Sequence, residues 1–182
     1  MLLRALLALP DVGQVDAFAE PWRRLYSHST LVSTLVLFGH LAGMLAGGGL
    51  SIAADRATLR LDVAREDERR RHLADLARTN RTVIAALVVA IVSGALLFFA
   101  DVEVFATSSI FWAKMALLAL LIANLWLARR AERALRDDRP SGALDGAPSR
   151  QDRLWRRRRG SAMASIALWF VLVLAGTALA SH

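Results

Sequence analysis

Twenty-six consecutive residues, Ser29 to Ala54, carry no acidic side chain, no lysine and no arginine. A helix needs about 20 apolar residues to cross a bilayer, so the run STLVSTLVLFGHLAGMLAGGGLSIAA predicts a transmembrane helix. Inside it Gly39, Gly43 and Gly47 form a ladder of small residues at four-residue spacing. Such a ladder marks where another helix backbone comes close. A single ionisable group, His40, lies near the middle of the run.

The rest of the chain divides in the same way. Thr82 to Ala100 is uncharged, Thr107 to about Ala128 is broken only by Lys114, and Gly160 to Ser181 is again uncharged. These stretches predict an all-α, integral membrane four-helix bundle with spans at about 29–54, 82–100, 107–128 and 160–181. With only 182 residues, 55% of them hydrophobic, the whole chain reads as one transmembrane domain. The segments 55–81 and 129–159 hold eight and eleven arginines, whereas the 101–103 connection is acidic and has none. Arginine collects on the cytoplasmic side of inner-membrane proteins. This asymmetry puts both basic segments in the cytoplasm and both termini outside, in the bacterial inner membrane. Arg4, Arg23 and Arg24 run against the trend. The same rule explains the net charge of +7 without nucleic acid as a partner. The absence of cysteine excludes disulfides, thiolate metal sites and cysteine nucleophiles.

Before the first span, MLLRALLALPDVG imitates a signal peptide, but its apolar core is short and Asp11, Gln14 and Asp16 follow it. It reads as retained. Phe18, Trp22, Leu25 and Tyr26 recur at three- and four-residue steps and predict an interfacial amphipathic helix lying on the bilayer. Segment 55–81, dense in Arg, Glu, Ala and Leu, predicts a solvated helical hairpin or extension. Within 129–159, RPSGALDGAPS reads as a linker, and Ser149 with Asp152 resembles a capping box opening a helix.

His40 is the leading candidate site, because ionisable groups inside a span usually face the bundle and serve a function. The competing reading is a neutral histidine hydrogen-bonded to a neighbouring helix. If the second span runs antiparallel to the first, Ser93 reaches a similar depth and becomes a partner for the imidazole. Met44 lies one turn from His40, and a His/Met pair at that spacing can ligate a soft metal such as Cu(I); the alternative is core packing. A b-type haem held by two histidines of this chain is not expected at His40. His28 is twelve residues away, about 18 Å along one helix, while His72 falls in a basic segment and His182 at the outer end. A haem with one histidine ligand, or one shared across a dimer, stays open. Lys114 can snorkel outward toward Asp101 and Glu103. Asn124, deeper in the third span, is expected to hydrogen-bond across helices.

FGHLAGMLAGGGLSIAADR in the first span, SGALLFFAD in the second, FWAKMALLALLIANL in the third and SIALWFVLVLAG in the fourth together resemble one group. It comprises small four-helix bacterial inner-membrane proteins related to the copper-resistance D (CopD-like) proteins. That resemblance implies copper handling or a b-type cytochrome-like bundle and points to His40, Lys114 and Asn124; with the residues read above, His40, Ser93, Lys114 and Asn124 are the candidate cofactor-binding residues and His40 with Met44 the candidate metal ligands.

Three classes of function follow: a redox, metal- or haem-associated membrane protein, a small transporter or channel protomer, and a non-catalytic accessory or structural subunit. The partners expected are the lipid bilayer and, through the Gly39/Gly43/Gly47 face, a homo-oligomer or larger membrane complex.

Overall fold

A computed structural model describes residues 12–63, 65–137 and 150–180. The signal-like leader (apart from its last two residues), the 139–149 linker with Ser149, and His182 lie outside the described residues. The described chain is all helical: α1 (Val12–His28), α2 (Thr30–Arg60), α3 (Glu66–Ala100), α4 (Val102–Thr107), α5 (Ser109–Asp137) and α6 (Arg150–Ala180). The helices α2, α3, α5 and α6 are each long and apolar enough to cross a membrane.

Local chemistry sets the boundaries. Ser29 leaves the helical region between α1 and α2, and its hydroxyl accepts from the Val32 N–H at 3.3 Å, an N-cap that satisfies one of the orphan donors of the first turn. The first turn of α3 holds Glu66, Asp67 and Glu68, three carboxylates placed to complement the helix dipole. Ser108 caps α5 by accepting from the Phe111 N–H. At the α3–α4–α5 corner Phe98 stacks on Phe111 with centroids 5.2 Å apart, and Phe105 packs beside both.

Helices α2 and α3 are antiparallel. His40 meets Ala90, Gly43 meets Ala86 and Ala90, and Thr58 meets His72. By the same logic α5 is antiparallel to α6, through Asn124 with Ser161 and Glu132 with Arg158. Asp55 with Arg158, and Gly47 with Trp169, set α2 antiparallel to α6. The result is an up-down-up-down bundle. One core cluster, Val83, Leu87, Leu121, Trp169 and Leu172, fills its apolar half. A second, Leu73, Leu76, Leu135 and Trp155, lies in the charged half.

That charged half is helical, as segment 55–81 predicts, but it is not wholly solvated, since Asp55, Thr58, Leu73 and Leu76 are buried. The helices do not stop where the uncharged runs stop: α2 continues to Arg60, α3 already begins at Glu66, α5 runs on to Asp137 and α6 starts at Arg150. Helix-favouring Arg, Glu, Ala and Leu carry the backbone bonds past the apolar stretches, so His72 lies on a helix rather than in a loop. The N-terminal helix also turns a different residue to the bundle than its apolar stripe suggests. Trp22 donates its indole N–H to the Leu96 carbonyl at 2.8 Å, and Ala19 is buried, while Phe18 and Leu25 stay exposed. Arg23 and Arg24 hydrogen-bond Glu20 and hold its carboxyl below the usual carboxylate range.

Large apolar side chains cover the outside of the bundle. Leu31, Leu35, Phe38, Leu41 and Leu45 on α2 are exposed, as are Leu120, Trp126 and Leu127 on α5 and Phe170 and Leu174 on α6.

Candidate functional site

Helix α2 approaches α3 along its glycine ladder. A Cβ on Gly43 would lie 2.8 Å from both the Ala86 carbonyl oxygen and the Ala90 nitrogen, so the two backbones are in contact there. Gly47 meets Ala86, Leu87 and Trp169. The ladder's face is therefore occupied within the chain, by α3 and by the α6 indole.

This approach brings His40 onto the next turn of α3. Its Nδ1 lies 2.9 Å from the Ala90 carbonyl oxygen and 3.4 Å from Ser93 Oγ. A carbonyl only accepts, so the proton of the neutral ring resides on Nδ1, and among the described residues no hydrogen-bond partner reaches the Nε2 lone pair. The Ser93 hydroxyl spends its own proton on the Val89 carbonyl at 2.6 Å. Gly94 makes room for the ring: a Cβ there would stand 3.0 Å from His40 Cε1. His40 is half-buried, and Met44, also half-buried, lies one turn along α2.

Lys114 lies within electrostatic reach of His40. Its Nζ comes up against α6, 3.8 Å from where a Gly176 Cβ would be. Among the described residues no ion pair joins it to Asp101 or Glu103, both of which are exposed. Lys114 thus points into the bundle rather than outward.

Asn124 belongs elsewhere. Its side-chain N–H donates to the Ser161 carbonyl at 3.0 Å, and Ser161 Oγ donates back to Asn124 Oδ1 at 2.9 Å, a reciprocal clamp between α5 and α6. Asn124 lines a polar cavity with Ser51, Asp55, Asn80, Glu132 and Arg158. Asp55 is fifteen residues from His40 on α2, about 22 Å along the helix axis. His40 and Ser93 are one site, and Asn124 is part of another.

The second site holds the most deeply buried charges of the described chain. Arg158 (3% exposed) donates from Nε to Glu132 at 2.8 Å and from Nη1 to Asp55 at 3.0 Å, and the two acids are 4% and 5% exposed. Asn80 donates to the other Glu132 oxygen at 2.9 Å. The Ser51 and Ser165 hydroxyls, 3.4 Å apart, line the same cavity as Asp55. Each long helix contributes at least one polar residue here. The reading of the sequence assigned Asp55, Glu132 and Arg158 to solvated basic segments and missed them.

Among the described residues no group of three or more His, Asp or Glu side chains gathers in a way that could hold a metal ion. His72, at the charged end of α3, is engaged with the buried Thr58 hydroxyl at 2.9 Å. Met44 lies one turn from His40 on α2.

No known family, curated protein or solved structure matches the chain.

Proposed function

We propose that the chain is a multi-pass protein of the bacterial inner membrane in which His40 presents Nε2 to a metal or haem group. Membrane placement is supported by the inverted surface: the apolar side chains face outward on helices long enough to span, and the buried charges lie inside. In water such a surface would be an aggregation liability, whereas lipid tails cover it at no cost. The arginine-rich end faces the cytoplasm, and the Asp101–Glu103 corner and both termini face outside. The α1 helix, with Phe18 and Leu25 exposed, lies at the outer interface.

The chain has no native cysteine, so single cysteines report this orientation without background. Thr107→Cys is expected to react with an impermeant thiol reagent in intact cells, and Ala74→Cys, exposed in the charged half, only after lysis. Labelling of Ala74→Cys in intact cells would reverse the topology.

The observation that carries the functional reading is the commitment of His40 Nδ1–H to the Ala90 carbonyl. A ligating histidine almost always anchors its other nitrogen in this way, which sets the tautomer and aims the lone pair. With Met44 as a second donor the pair suits Cu(I); alone, His40 suits one axial position of a b-type haem. Either group would supply one-electron chemistry, and the protein's part is to hold the imidazole, exclude water and place the Lys114 charge nearby. This is also the reading to which the resemblance to CopD-like proteins points. The alternative, an accessory subunit without a ligand, rests on the same hydrogen bond acting only as a tie between α2 and α3.

The deciding measurement is an absorption spectrum with metal analysis of the full chain purified in detergent. A visible band or copper near one equivalent is expected. His40→Gln should lose it at least about tenfold while melting close to the parent, because the amide still donates to Ala90. An unsubstituted chain with neither chromophore nor metal would leave the accessory reading in place.

A further inference from the structure

Beyond the His40 site, the charge balance around Arg158 is uneven. Two carboxylates, each at least nine-tenths buried, face one equally buried guanidinium. An uncompensated ion in such a place is costly enough that the group neutralises instead. The two acids are not equivalent. Glu132 receives Arg158 Nε and the Asn80 amide, and the half-buried Arg129 on its own helix adds a second positive charge within electrostatic reach. Asp55 receives only Arg158, and the Ser51 and Ser165 hydroxyls that line the cavity beside it can each accept or donate a hydrogen bond. The cavity against these groups has room for about one water molecule.

We propose that Asp55 is a proton-binding site: its carboxyl holds a proton that it exchanges with water in the cavity at the charged end of the bundle, while Glu132 serves as the acid that holds Arg158 and Asn80. On release the carboxyl O–H bond breaks, the proton passes to that water, and the carboxylate is left on Arg158. On uptake the order reverses. The charged and titratable groups facing the site are Arg158 on α6, Glu132 and Arg129 on α5 and, within electrostatic reach of Arg158, His72 on α3. No metal or redox group takes part, so the site functions whether or not His40 carries a ligand.

Amide substitutions separate the two acids, because an amide imitates a protonated carboxyl and not a carboxylate. In full-length protein in detergent at neutral pH, Asp55→Asn is expected to melt within about 2 °C of the parent. Glu132→Gln should fall by about 8 °C or more, since it leaves Arg158 short of its counter-ion. Equal effects of the two substitutions, whether both silent or both severe, would overturn the assignment. Infrared spectroscopy gives a reading that does not depend on the variants' stability. The unsubstituted chain should show the carbonyl stretch of a protonated buried carboxyl that shifts in heavy water and is missing from Asp55→Asn. Absence of that band from the unsubstituted chain, or its persistence in Asp55→Asn, would refute the proposal.

Discussion

Arg158→Met is expected to lower the melting temperature of the purified chain by about 6–20 °C, the most severe effect of any single side-chain truncation in the bundle. Removing one partner of a buried ion pair costs about 3–5 kcal/mol, because the charge left behind has no water to turn to, and each kcal/mol is worth about 2–4 °C in a chain of this size. The reason lies in the bonds that Arg158 makes. Its Nε and Nη1 reach acids on two other helices, and one of those acids holds Asn80 on the remaining one. Methionine fills the space of the aliphatic stem but strands Glu132. Replacing the whole set together, with Leu at 55, 80 and 132 and Met at 158, should restore most of the loss, since apolar groups of similar volume commonly match a buried ion network. A melting temperature for Arg158→Met within about 2 °C of the parent would mean that water reaches the network freely.

The sequence made the helices legible and the ionic network illegible, for one physical reason. Apolar runs such as Ser29–Ala54 report their environment locally, residue by residue, whereas a charge reports it only once its partners are known. Asp55, Glu132 and Arg158 lie 77 and 26 residues apart along the chain, in stretches with so many arginines and acids that each looked solvated. A weaker signal was present. Ser51 with Asp55, Asn124 with Glu132, and Arg158 with Ser161 and Ser165 repeat at helical spacing, so that a polar stripe enters three of the apolar runs on one face of each helix. Read as stripes rather than as loop composition, they point to the cavity the structure contains.

His40 was legible because an isolated ionisable group in a long apolar run has few explanations. Its pairing with Ser93 followed from an antiparallel hairpin of known rise per residue, and the two side chains do lie 3.4 Å apart. The Ala90 carbonyl, the closer acceptor, could not be read. A helical carbonyl already serves its own ladder, and only the close approach of two backbones exposes it to a second donor. The direction of Lys114 was missed for a related reason. Snorkelling toward Asp101 and Glu103 is what a lipid-facing lysine does, but Gly176 on α6 leaves a gap that the side chain occupies from within the bundle.

Gly43→Leu is expected to separate α2 from α3, with a loss of about 3 kcal/mol or more and a melting temperature at least about 6 °C lower. Even a Cβ at this position would stand 2.8 Å from two backbone atoms, the Ala86 oxygen and the Ala90 nitrogen. Neither can swing aside as a side-chain end can, so a helix must move. Overpacking by a few methylenes in a core costs about 1–3 kcal/mol when side chains can repack, and here they cannot. The same displacement pulls His40 Nδ1 from the Ala90 carbonyl, one turn away, and so frees the imidazole to take the other tautomer. Gly43→Leu should therefore disturb any His40-bound group along with the fold, even in the fraction that remains assembled in the cold. Gly49→Leu is the control. A Cβ there meets nothing within 4 Å, and the residue is exposed, so the substitution should leave both melting temperature and spectrum unchanged. If Gly49→Leu proves as damaging as Gly43→Leu, a second chain packs against that face of α2, and the face must be assigned to an oligomer contact rather than to lipid.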